Sequence, residues 1–170
     1  MFAPQLTSPT RAWRVDQARH ATNWDSGLGA YAVGGRWNPR GVKAVYCSLD
    51  AATAILEVAV HKGFRALDIV HHVTSVLEIS DPTHVHVVMP DDVPNPAWLL
   101  PGMPSAGQQV FGAGLLAAHR FVAIPSAAST RSWNLVFDPD RAKGLYALVL
   151  QERLAIDTRL NPPAQTKFVN

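Results

Sequence analysis

GGRWNPRGVKAVYCSLDAATAILEVAVH, residues 34–61, decides how the rest of this chain is read. It opens with a Gly-rich turn that carries a cation, Gly34-Gly35-Arg36-Trp37-Asn38-Pro39. A short apolar strand follows, Ala44-Val45-Tyr46-Cys47-Ser48. Next comes a helix over residues 50–62, with Ser48 or Asp50 as its N-cap and Gly63 as its stop. A guanidinium on a tight turn, a phenol ring on a strand and a carboxylate inside a mostly apolar helix thus fall close together. Packing alone does not call for that combination. It points to a floor that binds an anionic, aromatic ligand and acts on it.

Each piece has a physical reading. Gly34-Gly35 permits positive φ and close approach of a ligand. Arg36 on that turn presents a planar fork of donors suited to phosphate. In the helix, Ala52, Ile55, Leu56, Ala59 and Val60 form a broad apolar face, and Thr53, Glu57 and His61 recur every four residues as a narrow polar stripe. A helix that is apolar around most of its circumference is expected to turn such a stripe to a cleft, where a desolvated carboxylate does electrostatic work.

Composition bounds the alternatives. The 170 residues read as one domain, and at 48% hydrophobic and 16% charged they can bury a sizeable core. A net charge of +2 without any Lys/Arg run gives no reason to expect a nucleic-acid partner. Cys47, the one cysteine, excludes an intrachain disulfide and a multi-cysteine metal site. The first residues, MFAPQLTSPTRAW, hold no apolar signal region, and no apolar run approaches the roughly 18–20 residues of a membrane helix. A soluble, cytoplasmic protein is the expectation.

Outward from the central stretch, residues 1–10 read as a loose lead-in and Ala12-Trp13-Arg14-Val15 as a short strand, with Arg14 partly buried between apolar neighbours. Residues 22–33 read as a polar, glycine-bearing loop over the site, with Trp24 and Tyr31 as its aromatics. Strands are expected over residues 68–79, 84–88, 121–124 and 145–150, a short strand and turn over 132–139, and a helix over 105–120. Residues 91–104 are a proline-rich loop, of the kind that is functional or mobile. Ser126 lies just past a core strand, where α/β proteins bind ligands, without the Gly-x-Ser-x-Gly elbow of a hydrolase nucleophile. His84 and His86 share a strand face, but no cysteine is placed to join them and no metal site is expected. Residues 156–160 read as the last ordered element, before a polar tail. Strands and helices are interspersed without the regular alternation of a doubly wound sheet, so the class is α+β.

These pieces together resemble the RES-domain family, the toxins of Xre–RES toxin–antitoxin pairs. The likeness runs over residues 11–160, leaving 1–10 as lead-in and 161–170 as tail. It is carried by Trp13-Arg14-Val15, by Gly34-Gly35-Arg36-Trp37-Asn38 with Gly41, and by Val45-Tyr46-Cys47-Ser48. Ala54 with Glu57, Gln109 with Gly112, Ile124-Pro125-Ser126, Asn134 before Asp138-Pro139, and Ile156-Asp157 with Arg159-Leu160 complete it. The family is named for an arginine, a glutamate and a serine, which fall on Arg36 (or Arg14), Glu57 and Ser126. Asp138-Pro139 departs from the family's usual Asn-Pro, and residues 127–133 match loosely.

The resemblance implies a single compact domain with mixed or antiparallel sheets flanked by helices, similar to ADP-ribosyltransferases. It implies NAD as substrate, cleaved at the nicotinamide–ribose bond by a glycohydrolase or phosphorylase whose action arrests growth. Other members transfer ADP-ribose to a host protein, and a catalytically silent partner of an antitoxin is a third reading. A cognate Xre/MbcA/ParS-like antitoxin is expected to block the pocket in a hetero-oligomer, with no nucleic acid or membrane contacted directly. The chemistry of the residues agrees with that expectation. Breaking a bond from ribose to a neutral pyridine develops an oxocarbenium-like cation, which a carboxylate stabilises. Glu57, Arg36 and Ser126 are the expected catalytic set. Arg14, Arg36, Tyr46 and Ser126 are the expected NAD contacts, the two arginines for the pyrophosphate, Tyr46 for the nicotinamide ring and Ser126 for the ribose or the acceptor. No metal is required.

Overall fold

The computed structural model describes residues 1–100, 102 and 104–157. Seven strands form one sheet: β1 (Thr10–Gln17), β2 (Val45–Ser48), β3 (His72–Ile79), β4 (Val85–Val87), β5 (Phe121–Pro125), β6 (Trp133–Phe137) and β7 (Tyr146–Arg153). Four helices accompany it: α1 (Leu28–Val33), α2 (Ala51–Lys62), α3 (Phe64–Ile69) and α4 (Ala106–Ala118). The spatial order is β4-β5-β6-β2-β1-β3-β7, and only β4 and β5 run parallel. This is the α+β class that the sequence implies, drawn together as one mixed sheet rather than several. β1 and β2 meet only at Trp13 and Ser48, so the sheet nearly divides there into β4-β5-β6-β2 and β1-β3-β7.

Alternation along the strands sends side chains to two faces. Ala12, Val45, Cys47, Leu77, Phe121, Leu135 and Phe137 gather on one face, with Trp24 packed edge-on against Tyr146. Phe121 and Phe137 are fully buried, and each contributes on the order of 2 kcal/mol of apolar burial. Trp37, Val122, Ile124 and Val136 form a second core with Leu116 of α4 and Trp98 of the proline-rich loop. A third, smaller core seats α2 and α3 on β1 through Val15, Ala54, Ala59 and Leu67. α2 therefore lies across the junction between the two halves of the sheet.

Several boundaries differ from the sequence reading, each for a local reason. Residues 22–33, expected as a loop over the site, include the end of a 3₁₀ turn, Ala18–Asn23, and all of α1. α1 is bracketed by Gly27 and Gly34, both at positive φ, and no side chain caps it, so it leaves no helical signature. Trp24 is buried in the first core instead of facing a ligand. The strand expected over 68–79 starts at His72, because Gly63 at φ 79° turns the chain into α3, whose Leu67 is buried. β-branched Ile69 suggested a strand but ends that helix exposed. His84 belongs to a 3₁₀ turn, Pro82–His84, capped by Asp81, which shortens β4. β7 continues three polar residues beyond Leu150, since β3 supplies partners as far as Val73. Residues 156 and 157 carry no regular structure, and the rest of the element expected over 156–160, like the tail, lies outside the described residues.

Candidate active site

The site is assembled where β2 and β5 end and β6 begins, under α2. Asp50, not Ser48, caps α2: its carboxylate accepts from the Thr53 amide at 2.7 Å and from the Thr53 hydroxyl at 2.7 Å. Gly63 ends the helix as expected. The polar stripe runs from the interior outward, with Thr53 buried, the Glu57 side chain 23% exposed and the His61 side chain 72% exposed. Glu57 is thus partly desolvated and does not stand in open water.

Two donors converge on one of its oxygens. Ser126 Oγ donates to Glu57 Oε1 at 2.7 Å, and Asn134 Nδ2 donates to the same oxygen at 2.6 Å. Oε2 has the His61 ring at 3.8 Å. Ser126 is itself fully buried, and its Oγ accepts from the amides of Ala128 at 3.1 Å and Ser129 at 3.0 Å. Its one donor and two acceptor positions are thus all in use. Asn134 carried a likeness in the sequence but no role there. The signal that could have assigned one is a polar amide inside the apolar run WNLVF, because a buried amide must find partners.

The Arg36 turn is stapled from three sides. Gly34 adopts φ 79°, and Gly35 N–H closes the turn on the Asn38 carbonyl at 2.9 Å. Gly35 is needed for space: a Cβ there would stand 2.6 Å from Tyr46 Oη. Tyr46 Oη donates to Asn38 Oδ1 at 2.7 Å and accepts from the Trp37 amide at 3.0 Å, which ties β2 to the turn. Buried Asn38 donates to the carbonyls of Ala30 and Val42. From α4, Gln109 Nε2 holds the Gly35 carbonyl at 2.9 Å, and Gly112 lets the helix touch the Trp37 backbone. The Arg36 guanidinium, partly buried, donates to the Trp98 carbonyl. Trp98 packs against Trp37 with ring centroids 6.0 Å apart, so the proline-rich loop borders the site.

Electrostatics link these groups. Burial pushes the Tyr46 phenol well above its ordinary range, while the nearby Arg36 cation draws it down and the Glu57 charge draws it up. The phenol thus feels both charges. Arg14 stands elsewhere. Its neighbour Trp13 pairs with Ser48 and packs in the α2 core, so Arg14 projects to the opposite face, beside Cys47. Asp16 holds it by two bonds, 2.6 Å at Nε and 2.8 Å at Nη2, and its Nη1 donates to the Tyr46 carbonyl at 2.8 Å. The structure brings together Arg36, Tyr46, Glu57 and Ser126 and sets Arg14 behind them as a brace. Among the described residues no group of three or more His, Cys, Asp or Glu is placed to hold a metal ion, and no helix is long and apolar enough to cross a membrane.

This architecture has relatives. A protein of Sphingobium sp. (strain YBL2) called Prs ADP-ribosylating toxin is 30% identical, over 81% of this chain and 89% of that protein. Toxin Res of Photorhabdus laumondii subsp. laumondii is 26% identical, over 75% of this chain and 80% of its own length. A chain in the crystal structure of the M. tuberculosis MbcT–MbcA toxin–antitoxin complex superposes with a TM-score of 0.62 at 21% identity, covering 86% of this chain and 84% of that one, which supports the fold. The RES domain family model matches residues 11–158, and the chain belongs to that family.

Proposed function

We propose that this chain is the toxin of a toxin–antitoxin pair and cleaves the nicotinamide–ribose bond of NAD. The observation that carries the reading is the Glu57 carboxylate, partly buried and fixed through Oε1 by Ser126 and Asn134, with its charge and that of Arg36 both felt by the Tyr46 phenol. In the reaction the C1′–N bond breaks and its electron pair leaves with nicotinamide as a neutral base. Positive charge develops on the ribose, and Glu57 Oε2 faces it. An acceptor oxygen then bonds to C1′ and releases its proton to solvent. Arg36 meets the pyrophosphate with the N–H groups that Trp98 leaves free. The Tyr46 ring forms the wall for nicotinamide, held by its hydroxyl from behind. Arg14 supports that wall through the Tyr46 carbonyl. An Xre-type antitoxin is the partner that restrains the activity.

Purified protein mixed with NAD, with and without phosphate, is expected to release nicotinamide. Folded protein free of antitoxin that releases none under either condition would overturn the reading. A second reading, transfer of ADP-ribose to a protein, is favoured by the name of the Sphingobium relative. Labelled NAD in a cell lysate separates the two: a discrete labelled protein band supports transfer, and free product alone supports hydrolysis or phosphorolysis.

A further inference from the structure

Ser48 and Asn134 face each other across β2 and β6, their Cα atoms in register. Both are buried, at 2% and 7% exposure, in strands that are otherwise apolar. Register partners in antiparallel strands project to the same face, so the two side chains meet directly. Ser48 Oγ donates to Asn134 Oδ1 at 2.9 Å. That bond commits the carbonyl end of the amide to the sheet and turns its NH2 end toward Glu57, where it donates at 2.6 Å. We propose that Asn134, oriented by Ser48, is a positioning residue that fixes the plane of the Glu57 carboxylate and so the direction in which its remaining oxygen meets the substrate. The proposal rests on the NAD-cleaving reading of the site.

The physical argument concerns rotation of the carboxylate. A free glutamate exchanges its two oxygens by turning about its last torsion. Here Oε1 receives donors from two separate strand ends, Ser126 after β5 and Asn134 at the start of β6. Neither donor can follow a rotating carboxylate. Ser126 Oγ is anchored by the amides of Ala128 and Ser129, and the Asn134 amide is anchored by Ser48. Turning the carboxylate out of this plane would break two charge-assisted bonds and strand buried donors. One carboxylate oxygen is thus held by the protein, which leaves the other for the substrate. The arrangement also gives Ser48 a function that its position at the end of an apolar strand does not suggest.

Three variants test this. Ser48→Ala removes only the group behind the amide and touches neither Glu57 nor substrate. It is expected to shift the Asn134 side-chain NH2 resonances in a ¹H–¹⁵N spectrum and to lower kcat about 3- to 10-fold with the Kd for NAD unchanged. Asn134→Ala is expected to lower kcat by about 10- to 100-fold with the same Kd. Asn134→Asp keeps the shape but sets two carboxyl groups in contact. They must share a proton, so the acidic limb of the pH–rate profile is expected to move to higher pH. If both variants fold, Ser48→Ala leaves the Asn134 signal and kcat in place, and Asn134→Asp turns over like wild type with the same pH profile, positioning is overturned. The spectrum needs no turnover. A wild type that releases no nicotinamide, with Asn134 signals that still respond to Ser48→Ala, would overturn the NAD reading and leave the positioning intact.

Discussion

Ser126 Oγ reaches Glu57 Oε1 at 2.7 Å although 69 residues separate them, and the same hydroxyl accepts two backbone amides from its own loop. The serine is therefore both a loop organiser and a donor to the carboxylate. Ser126→Ala loses one of the two donors on Oε1, a bond to a charged group worth roughly 1.5–3 kcal/mol. We expect kcat to fall about 10-fold or more while NAD affinity holds, as read by nicotinamide release and calorimetry. An equal loss in affinity alone would assign Ser126 to binding.

Two glycines of α4 have opposite environments. A Cβ at Gly112 would stand 2.2 Å from the Trp37 carbonyl oxygen, whereas a Cβ at Gly114 meets nothing within 4 Å. Gly112→Ala must push the helix off the Arg36 turn, at a cost of about 1–3 kcal/mol or more. Gly114→Ala gains up to about 1 kcal/mol of helix propensity. Urea denaturation of the two variants is expected to move the midpoint in opposite directions.

The Tyr46 hydroxyl joins Asn38 and the Trp37 amide. Tyr46→Phe keeps the ring and leaves a buried acceptor and donor unpaired, at a cost of about 1–3 kcal/mol. Loosening of the turn is expected to raise the Kd for NAD more than it lowers kcat, because Arg36 sits on that turn. Chemical denaturation and calorimetry on one preparation check both parts.

His119 at the end of α4 stacks on His86 of β4, ring centroids 3.8 Å apart and planes 1° from parallel. Desolvation, and then repulsion from His86, lowers the His119 pKa below its ordinary 6.5. The folded state thus binds a proton less readily than the unfolded state. The contribution is fully present above about pH 6.5 and is lost as pH falls from there through the folded value. Urea midpoints at pH 7.5 and 5.5 should differ for wild type, and the difference should shrink in His119→Gln.

Much of the site was legible because its residues are crowded in sequence. Gly34-Gly35, Arg36, Tyr46 and Glu57 each bring an unusual group to a short segment, and the caps of α2 at Asp50 and Gly63 are locally encoded. What stayed hidden depends on pairings between distant strands. The Ser48–Asn134 register joins positions 86 apart, and nothing near either residue announces the other. The setting of Arg14 was hidden for a related reason. Its sequence context shows burial but not which face of β1 it takes; register places it beside Cys47, while Asp16 lies two residues along the same strand. Gly63 illustrates the limit for helices: the same residue that stops α2 also begins α3, a reversal that Ile69 masks with β-branched character.

The central claim is that Glu57 acts on the bond being broken rather than on substrate affinity. Glu57→Gln keeps size and an acceptor for Ser126 and Asn134 while removing the negative charge. Single-turnover nicotinamide release, measured beside the Kd for NAD, tests it most directly. The account predicts a rate lower by about 10²-fold or more with Kd within a few-fold of wild type. A variant that cleaves NAD at the wild-type rate, or that loses affinity and nothing else, would contradict it.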